Sequence, residues 1–226
     1  MSDAVTTTVE DGVAVVRLDD GKANALSMGV IGGLHEALEK ASAEANAVCF
    51  AGNAKALCAG FDLSVMQGGV EGMIELVRSG GEFLMRLYGH PQPTVAAVTG
   101  HALAAGALLV LACDTRISGD APAKIGLNEV AIGMTLPDFA IELARDRLSK
   151  RYLTRATVEA EIFDPEGALA AGYLDMIVAA DQCERTAIDV ARRLGQLDAA
   201  AYGGTKQALR QATIDKVMPT LASARV

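Results

Sequence analysis

From Thr94 to Cys113 the chain reads TVAAVTGHALAAGALLVLAC, twenty residues without a formal charge. That is the length of a membrane-spanning helix, and the way it is resolved constrains the whole fold. One continuous helix fits poorly. Thr94 to Val98 carries β-branched residues, Thr99, Gly100 and His101 break the run near its start, and Leu103 to Leu111 is helical in character. The run therefore predicts a buried strand, a tight turn and a buried helix, with no membrane span.

The flanking sequence alternates in the same way. Ala4 to Val9 and Val13 to Leu18 read as strands joined by Glu10-Asp11-Gly12, a hairpin turn. Ser27 can cap a helix reaching about Ala45, with Val30, Leu34, Ala37, Leu38 and Ala41 on one face. Val48 to Ala51 follows as a short buried strand, and residues 52–60 form a loop. A helix from Glu71 to Tyr88 stops before Pro91 and Pro93. Thr115 to Ser118 is another strand.

Past Pro137 the pattern turns helical, with segments at Phe139 to Arg147, Lys150 to Thr157, Pro165 to Ala171, Gln182 to Leu197 and Thr205 to Ala224. Only Tyr173 to Val178 reads as extended there. No Pro-, Gly- or Ser-rich linker divides the 226 residues, so the expectation is one continuous α/β domain. Its core would occupy residues 1–180, and a helical segment over 181–226 would serve packing and oligomerisation.

Composition removes several functions. Twenty Lys and Arg against 28 Asp and Glu leave a net charge of −8, with no basic stripe, which argues against nucleic acid. Cys49, Cys58, Cys113 and Cys183 are scattered, with no signal peptide ahead of them; reduced thiols in a cytoplasm are expected. His35, His90 and His101 show no ligand spacing to one another or to a cysteine, so no metal site is expected. A nucleophile elbow, a P-loop and a dinucleotide fingerprint are all missing from the sequence.

Two junctions and a few acids remain. In KALCAGFDL, Lys55 to Leu63, Gly60 permits a tight turn, and the amide of Phe61 after it could face a cleft. In TGHALAAGALL, Thr99 to Leu109, a strand gives way to a helix whose first amides are unpaired at the positive end of its dipole. Taken singly, each reads first as an ordinary turn.

Together, and in order with KANALS (Lys22 to Ser27), ACDTRI (Ala112 to Ile117), GLNEVAIGM (Gly126 to Met134) and AYGGTKQAL (Ala201 to Leu209), these junctions resemble the crotonase, or enoyl-CoA hydratase/isomerase, superfamily. The resemblance spans nearly the whole chain. It implies a spiral of ββα units with a helical C-terminal section, assembled as homotrimers or paired trimers. The implied substrate is an acyl thioester of coenzyme A, and no separate cofactor is required. The amides of Phe61 and Ala105 would form an oxyanion hole. Alanine stands at 105 where the family usually has glycine, which would strain a positive φ there. Coenzyme A would lie along residues matching Lys22, Ala23 and Ala25, and Ala59, Gly60, Phe61, Asp62 and Leu63. Ser64 replaces a basic residue often found there, leaving Lys22, Lys55 or a neighbouring subunit to meet phosphate.

The same resemblance separates the reactions. Hydratases of this family use two glutamates, and the first position is Leu108 here while the second is Glu129. Adding water needs acid and base together. Moving a double bond needs one base, so an isomerase with Glu129 as proton shuttle is the leading reading. Val130 and Ile132 are expected to make the pocket of Glu129 apolar and raise its pKa. Asp138, in TLPDF, matches a catalytic aspartate of some isomerases and dehalogenases, but reads first as a helix cap after Pro137. A hydratase and a non-catalytic acyl-CoA-binding protein are the alternatives.

Overall fold

The computed structural model describes residues 4–222. Strands β1 (Val5–Glu10) and β2 (Val13–Leu18) form the expected hairpin, turned by Asp11 and Gly12 at positive φ. Helix α1 (Met28–Glu44) is capped by Ser27, whose side chain accepts from Val30 N at 3.3 Å, and it buries the face drawn from the sequence. Strands β3 (Ala47–Ala51) and β4 (Ala56–Cys58) come next, then helices α2 (Leu63–Gln67) and α3 (Val70–Tyr88).

The uncharged run becomes β5 (Thr94–Val98), β6 (His101–Leu103) and α4 (Ala105–Ala112). All eight residues of α4 are buried. Eight residues rise only about 12 Å, well short of a bilayer. No helix among the described residues is long and apolar enough to cross a membrane. The lack of charge reflects burial on every side of a strand and a helix.

Strands β7 (Thr115–Gly119) and β8 (Ile125–Gly126) precede a 3-10 turn at Val130–Ile132 and helices α5 (Asp138–Arg147), α6 (Leu153–Thr157) and α7 (Pro165–Ala171). Strand β9 (Met176–Val178) and helices α8 (Cys183–Leu194) and α9 (Ala199–Ala222) complete the chain. Helix α9 begins six residues before the expected Thr205, and Ser223 and Ala224 lie outside the described residues.

The strands sort into a six-stranded sheet of order β1-β2-β3-β5-β7-β9 and a three-stranded sheet of order β4-β6-β8. All pairs except the hairpin are parallel. Successive pairs β3/β4, β5/β6 and β7/β8 each give one strand to either sheet before a helix returns the chain, which is a spiral of strand–strand–helix turns. The small sheet was missed by sequence reading. Its strands are two or three residues long, too short for an alternation to show.

Every residue of β3 and β5 is buried, because the large sheet is covered on both faces. The main core lies between that sheet and α1, α3, α4 and α5, and a smaller cluster joins Val15, Cys49, Val95 and Ile117 to Cys183, Ala187 and Ala191 of α8. Cys49, Cys58, Cys113 and Cys183 are buried and free. Burial pushes the Cys58 and Cys113 thiols up to about 12, so neither is a ready nucleophile.

Candidate functional site

The two strips picked out in the sequence are zipped together. Ala59 N donates to Ala23 O at 2.9 Å, Leu26 N to Gly60 O at 2.8 Å, and Asp62 N to Leu26 O at 3.0 Å. Asn24 holds the first strip in place from within. Its φ is +56°, it is 2% exposed, and its Nδ2 donates to Leu18 O at 2.8 Å and Ala56 O at 2.9 Å. Its Oδ1 accepts from Asp20 N at 3.0 Å. Sequence reading passed over Asn24, although an asparagine inside a small-residue strip is the residue type that tolerates a left-handed backbone. Asn24→Ala removes the donor shared by Leu18 O, Ala56 O and Leu57 O, of which Ala56 O also accepts from Asn53 N at 3.2 Å, and it is expected to lower stability by about 1–3 kcal/mol in urea denaturation.

Gly60 has φ +111°, and a Cβ built on it would lie 3.1 Å from the Ala104 Cβ and 4.0 Å from Ala105 N. The two junctions, distant in sequence, therefore touch. The amide of Phe61 finds no acceptor among the described residues, nor does that of Ala105, the first residue of α4. The Phe61 ring lies against α3, where a Cβ on Gly80 would come within 2.3 Å of Phe61 Cε1. Helix α4 approaches β4 so closely that a Cβ on Gly106 would sit 1.9 Å from Cys58 O. Gly60, Gly80 and Gly106 thus let backbone or ring come into contact where any other residue would intervene.

The strain expected at Ala105 falls one residue earlier. Ala105 is helical, whereas Ala104 has φ +50° and ψ −122°, a region a Cβ disfavours. Ala104 N donates to Gly126 O at 3.0 Å, which holds the bent residue against β8. Relief of about 1–3 kcal/mol of strain outweighs the extra chain entropy of glycine, about 0.5–1 kcal/mol. Ala104→Gly is therefore expected to stabilise the protein by about 1 kcal/mol, seen as a raised urea midpoint.

Three residues beyond Gly126, Glu129 is 9% exposed, and its Oε2 is buried with no hydrogen-bond partner. Burial raises its pKa above the ordinary carboxylate range, and its own backbone amide only partly offsets this. Val130 and Ile132, expected to wall the pocket, are 44% and 55% exposed instead. They sit on the outer side of the 3-10 turn, and the desolvation of Glu129 comes from the fold beneath. Leu108 is 1% exposed and packs in the main core.

Asp138 is exposed, as the first residue of α5, and makes no cap hydrogen bond; Pro137 occupies the N-cap position. The cap reading is corrected accordingly. A proline at the cap has no side-chain acceptor, so what remains for Asp138 is its charge in the first turn.

A cleft of about 350 Å³ opens at the carboxyl ends of β5 and β7, lined by Ala23, Lys55, Ala59, His101 and Pro122 among others. Phe61, Ala105 and Glu129 are not part of its lining. His101 Nδ1 accepts from Lys124 N at 3.0 Å. Lys22 and Lys55 are exposed and enter no ion pair among the described residues. Leu63 is 62% exposed, and Asp62 caps α2, accepting from Ser64 N at 2.9 Å. Ala25 is half-buried.

Paired sheets wound in strand–strand–helix turns define a crotonase-type spiral. The chain belongs to the enoyl-CoA hydratase/isomerase family, whose sequence profile matches residues 8–225. It is 41% identical to an enoyl-CoA hydratase/isomerase family protein of Pseudomonas syringae of known structure, with a TM-score of 0.95 over 98% of this chain and 96% of that one. An enoyl-CoA isomerase of Mycobacterium tuberculosis superposes with a TM-score of 0.94 at 36% identity, over the whole of both chains. Mouse mitochondrial enoyl-CoA delta isomerase 1 is 30% identical over 212 residues, 92% of this chain and 73% of that protein.

Proposed function

We propose that the protein is an enoyl-CoA isomerase that shifts a 3-enoyl thioester of coenzyme A to the conjugated 2-enoyl thioester. The observation that carries this reading is one buried, unpartnered carboxylate, Glu129, with Leu108 where a hydratase would need a second acid. The amides of Phe61 and Ala105 donate to the thioester carbonyl oxygen. Glu129 takes a proton from C2, the electron pair moves into the carbonyl, and the two amides stabilise the dienolate oxygen. Glu129 then returns the proton to C4, and the double bond comes to rest between C2 and C3. One base suffices because the proton leaves and re-enters on the same substrate. A preorganised donor in such a site is worth roughly 3 kcal/mol.

In this reading the zipped strips at 22–26 and 59–63 carry the coenzyme A chain along their backbones, and the cleft beside Ala23 and Ala59 gives it room. Lys22 and Lys55, unpaired and exposed, are the cations nearest those strips in sequence for phosphate. Asp138, exposed and outside the junctions, is left without a step. The names of the isomerases among the related proteins support the same reaction. The family resemblance also supports working as a homotrimer or a pair of trimers; the exposed Leu197, Leu209 and Met218 offer apolar surface for such contacts.

The test is to supply a 3-enoyl-CoA and, separately, crotonyl-CoA, to follow the conjugated thioester absorbance and to weigh the products. Appearance of the 2-enoyl product without added water is expected. Hydration of crotonyl-CoA at the greater rate would overturn the isomerase reading, and retained coenzyme A binding without turnover would mark a binding protein.

A further inference from the structure

Phe61 is tied to the first strip by its neighbours and not by its own backbone. It lies opposite Leu26 in an isolated parallel bridge, where Leu26 N donates to Gly60 O at 2.8 Å and Asp62 N to Leu26 O at 3.0 Å. The residue between two such bonds turns its own N–H and C=O to the other side. The Phe61 amide therefore faces away from Leu26. The flanking backbone does little to hold it in one direction, since Gly60 before it has φ +111° and α2 after it is five residues long with none buried.

The anchor is the side chain. The Phe61 ring packs against the main core and enters a notch in α3, where a Cβ on Gly80 would lie 2.3 Å from Phe61 Cε1 and 2.6 Å from Cζ. Carbon atoms in contact need about 3.5 Å. The next residue is used in the same way from another direction. A Cβ on Gly81 would lie 2.6 Å from Leu221 Cδ2 of α9 and 2.9 Å from Phe139 Cδ1 of α5. Successive helical residues point about 100° apart, so α3 is gripped by α5 and α9 on one side while it receives the ring on another. Adjacent glycines disfavour a helix interior; both are buried in α3 and both admit a side chain from elsewhere.

On the reading of the Phe61 amide as a donor to the thioester carbonyl, we propose that Gly80 is a positioning residue: the notch it leaves in α3 seats the Phe61 ring, and that seat fixes the direction of the Phe61 N–H. A methyl at 80 requires the ring to withdraw by about 1 Å to reach normal contact. The amide at the root of the same side chain is displaced with it, and a misplacement of that size costs about 10²-fold in rate. The Ala105 donor does not depend on the notch, because it opens α4, whose residues are all buried.

The experiment is infrared spectroscopy of the whole protein with bound butanoyl-CoA, isotopically labelled at the thioester carbonyl, alongside isomerisation rates. In the wild type the carbonyl band is expected below its position in water, because the donors polarise it. In Gly80→Ala the band should return toward that position, and kcat should fall by about 10²-fold with KM little changed. Phe61→Leu lacks Cε1 and Cζ, while Cδ1 already lies 3.6 Å from the Gly80 notch. Added to that variant, the same methyl meets no ring and should cost less than about 3-fold, which keeps the test open if Gly80→Ala alone folds poorly. A protein that is merely destabilised loses rate in proportion to its folded fraction but keeps the band of the bound thioester in place. An unmoved band in Gly80→Ala would therefore overturn the proposal, as would a loss of the same size in both backgrounds. A wild-type band matching free butanoyl-CoA in water would overturn the donor reading of Phe61, and this proposal with it.

Discussion

Glu129→Gln is expected to lower the isomerisation rate by about 10²- to 10⁴-fold while coenzyme A thioesters still bind. Glutamine matches the shape of the side chain but cannot take the C2 proton, and neither Leu108 nor Asp138 can substitute. Leu108 has no proton to exchange, and Asp138 is exposed at the start of α5. The amides of Phe61 and Ala105 are backbone groups that the substitution leaves in place, so their proposed contribution to binding should survive. Stopped-flow absorbance with a 3-enoyl-CoA checks the rate, and calorimetry with an unreactive thioester checks the affinity. A variant retaining wild-type rate would remove Glu129 from the mechanism.

The pH dependence has a definite sign. Burial raises the pKa of Glu129, and in the proposed mechanism the base acts when ionised, so kcat/KM is expected to fall as pH drops through that raised value. The acid limb is therefore expected above the ordinary carboxylate range. The stability linkage runs the other way. A carboxyl whose folded pKa is raised binds more protons folded than unfolded, so its contribution is present at low pH and is lost as pH rises above the unfolded value. Glu129→Gln should consequently unfold at a higher temperature than the wild type near pH 7. On the proposed mechanism, activity and stability oppose each other at this residue.

Asp114→Ala is expected to cost about 3–5 kcal/mol, a large share of the roughly 5–15 kcal/mol by which such a domain is stable. Asp114, 9% exposed as a side chain, accepts from Lys206 Nζ at 2.6 Å, Arg210 Nη1 at 2.7 Å and the Tyr202 hydroxyl at 2.8 Å. Lys206 also donates to His90 O at 2.7 Å and Gln92 O at 2.8 Å, and Arg210 to Tyr88 O at 2.8 Å. Removing the carboxylate leaves two buried cations unneutralised on α9. Burial alone would raise the pKa of Asp114, but the cations of Lys206 and Arg210 outweigh it and hold the carboxyl below its usual value. On Lys206 burial wins, and its pKa is lowered despite the pairing.

A depressed carboxyl contributes stability above its unfolded pKa of about 3.9, and that stability is lost as pH falls through the lower folded value. Acid unfolding of the wild type should therefore be steeper than that of Asp114→Ala. Urea denaturation across pH, with hydrogen exchange of α9 as a local readout, separates the network from general destabilisation. Equal stability of the two proteins at pH 7 would contradict the assignment.

The uncharged run shows what a local pattern can reveal. Its breaks at Thr99 to His101 and its switch from β-branched to helical residues marked the strand and the helix, because local backbone preference acts within a few neighbours. The hairpin at Asp11-Gly12 and the Ser27 cap were legible for the same reason. Gly60, Phe61 and Ala105 were singled out through motif order along the chain. None of these signals reports which distant backbone will pair with which.

The order of elements, the class of fold and the identity of the two junctions thus follow from residues read along the chain. Contacts in three dimensions were needed to bring Gly60 to Ala104, and to put the positive φ on Ala104 while Ala105 begins the helix. They also turn Val130 and Ile132 outward while Glu129 turns in. These outcomes depend on the register of β6 against β4 and β8, strands so short that only their neighbours in space define them. Burial follows from the sum of such pairings, and the desolvation that shifts Glu129 and the cage around Asp114 exist only after the chain has closed on itself.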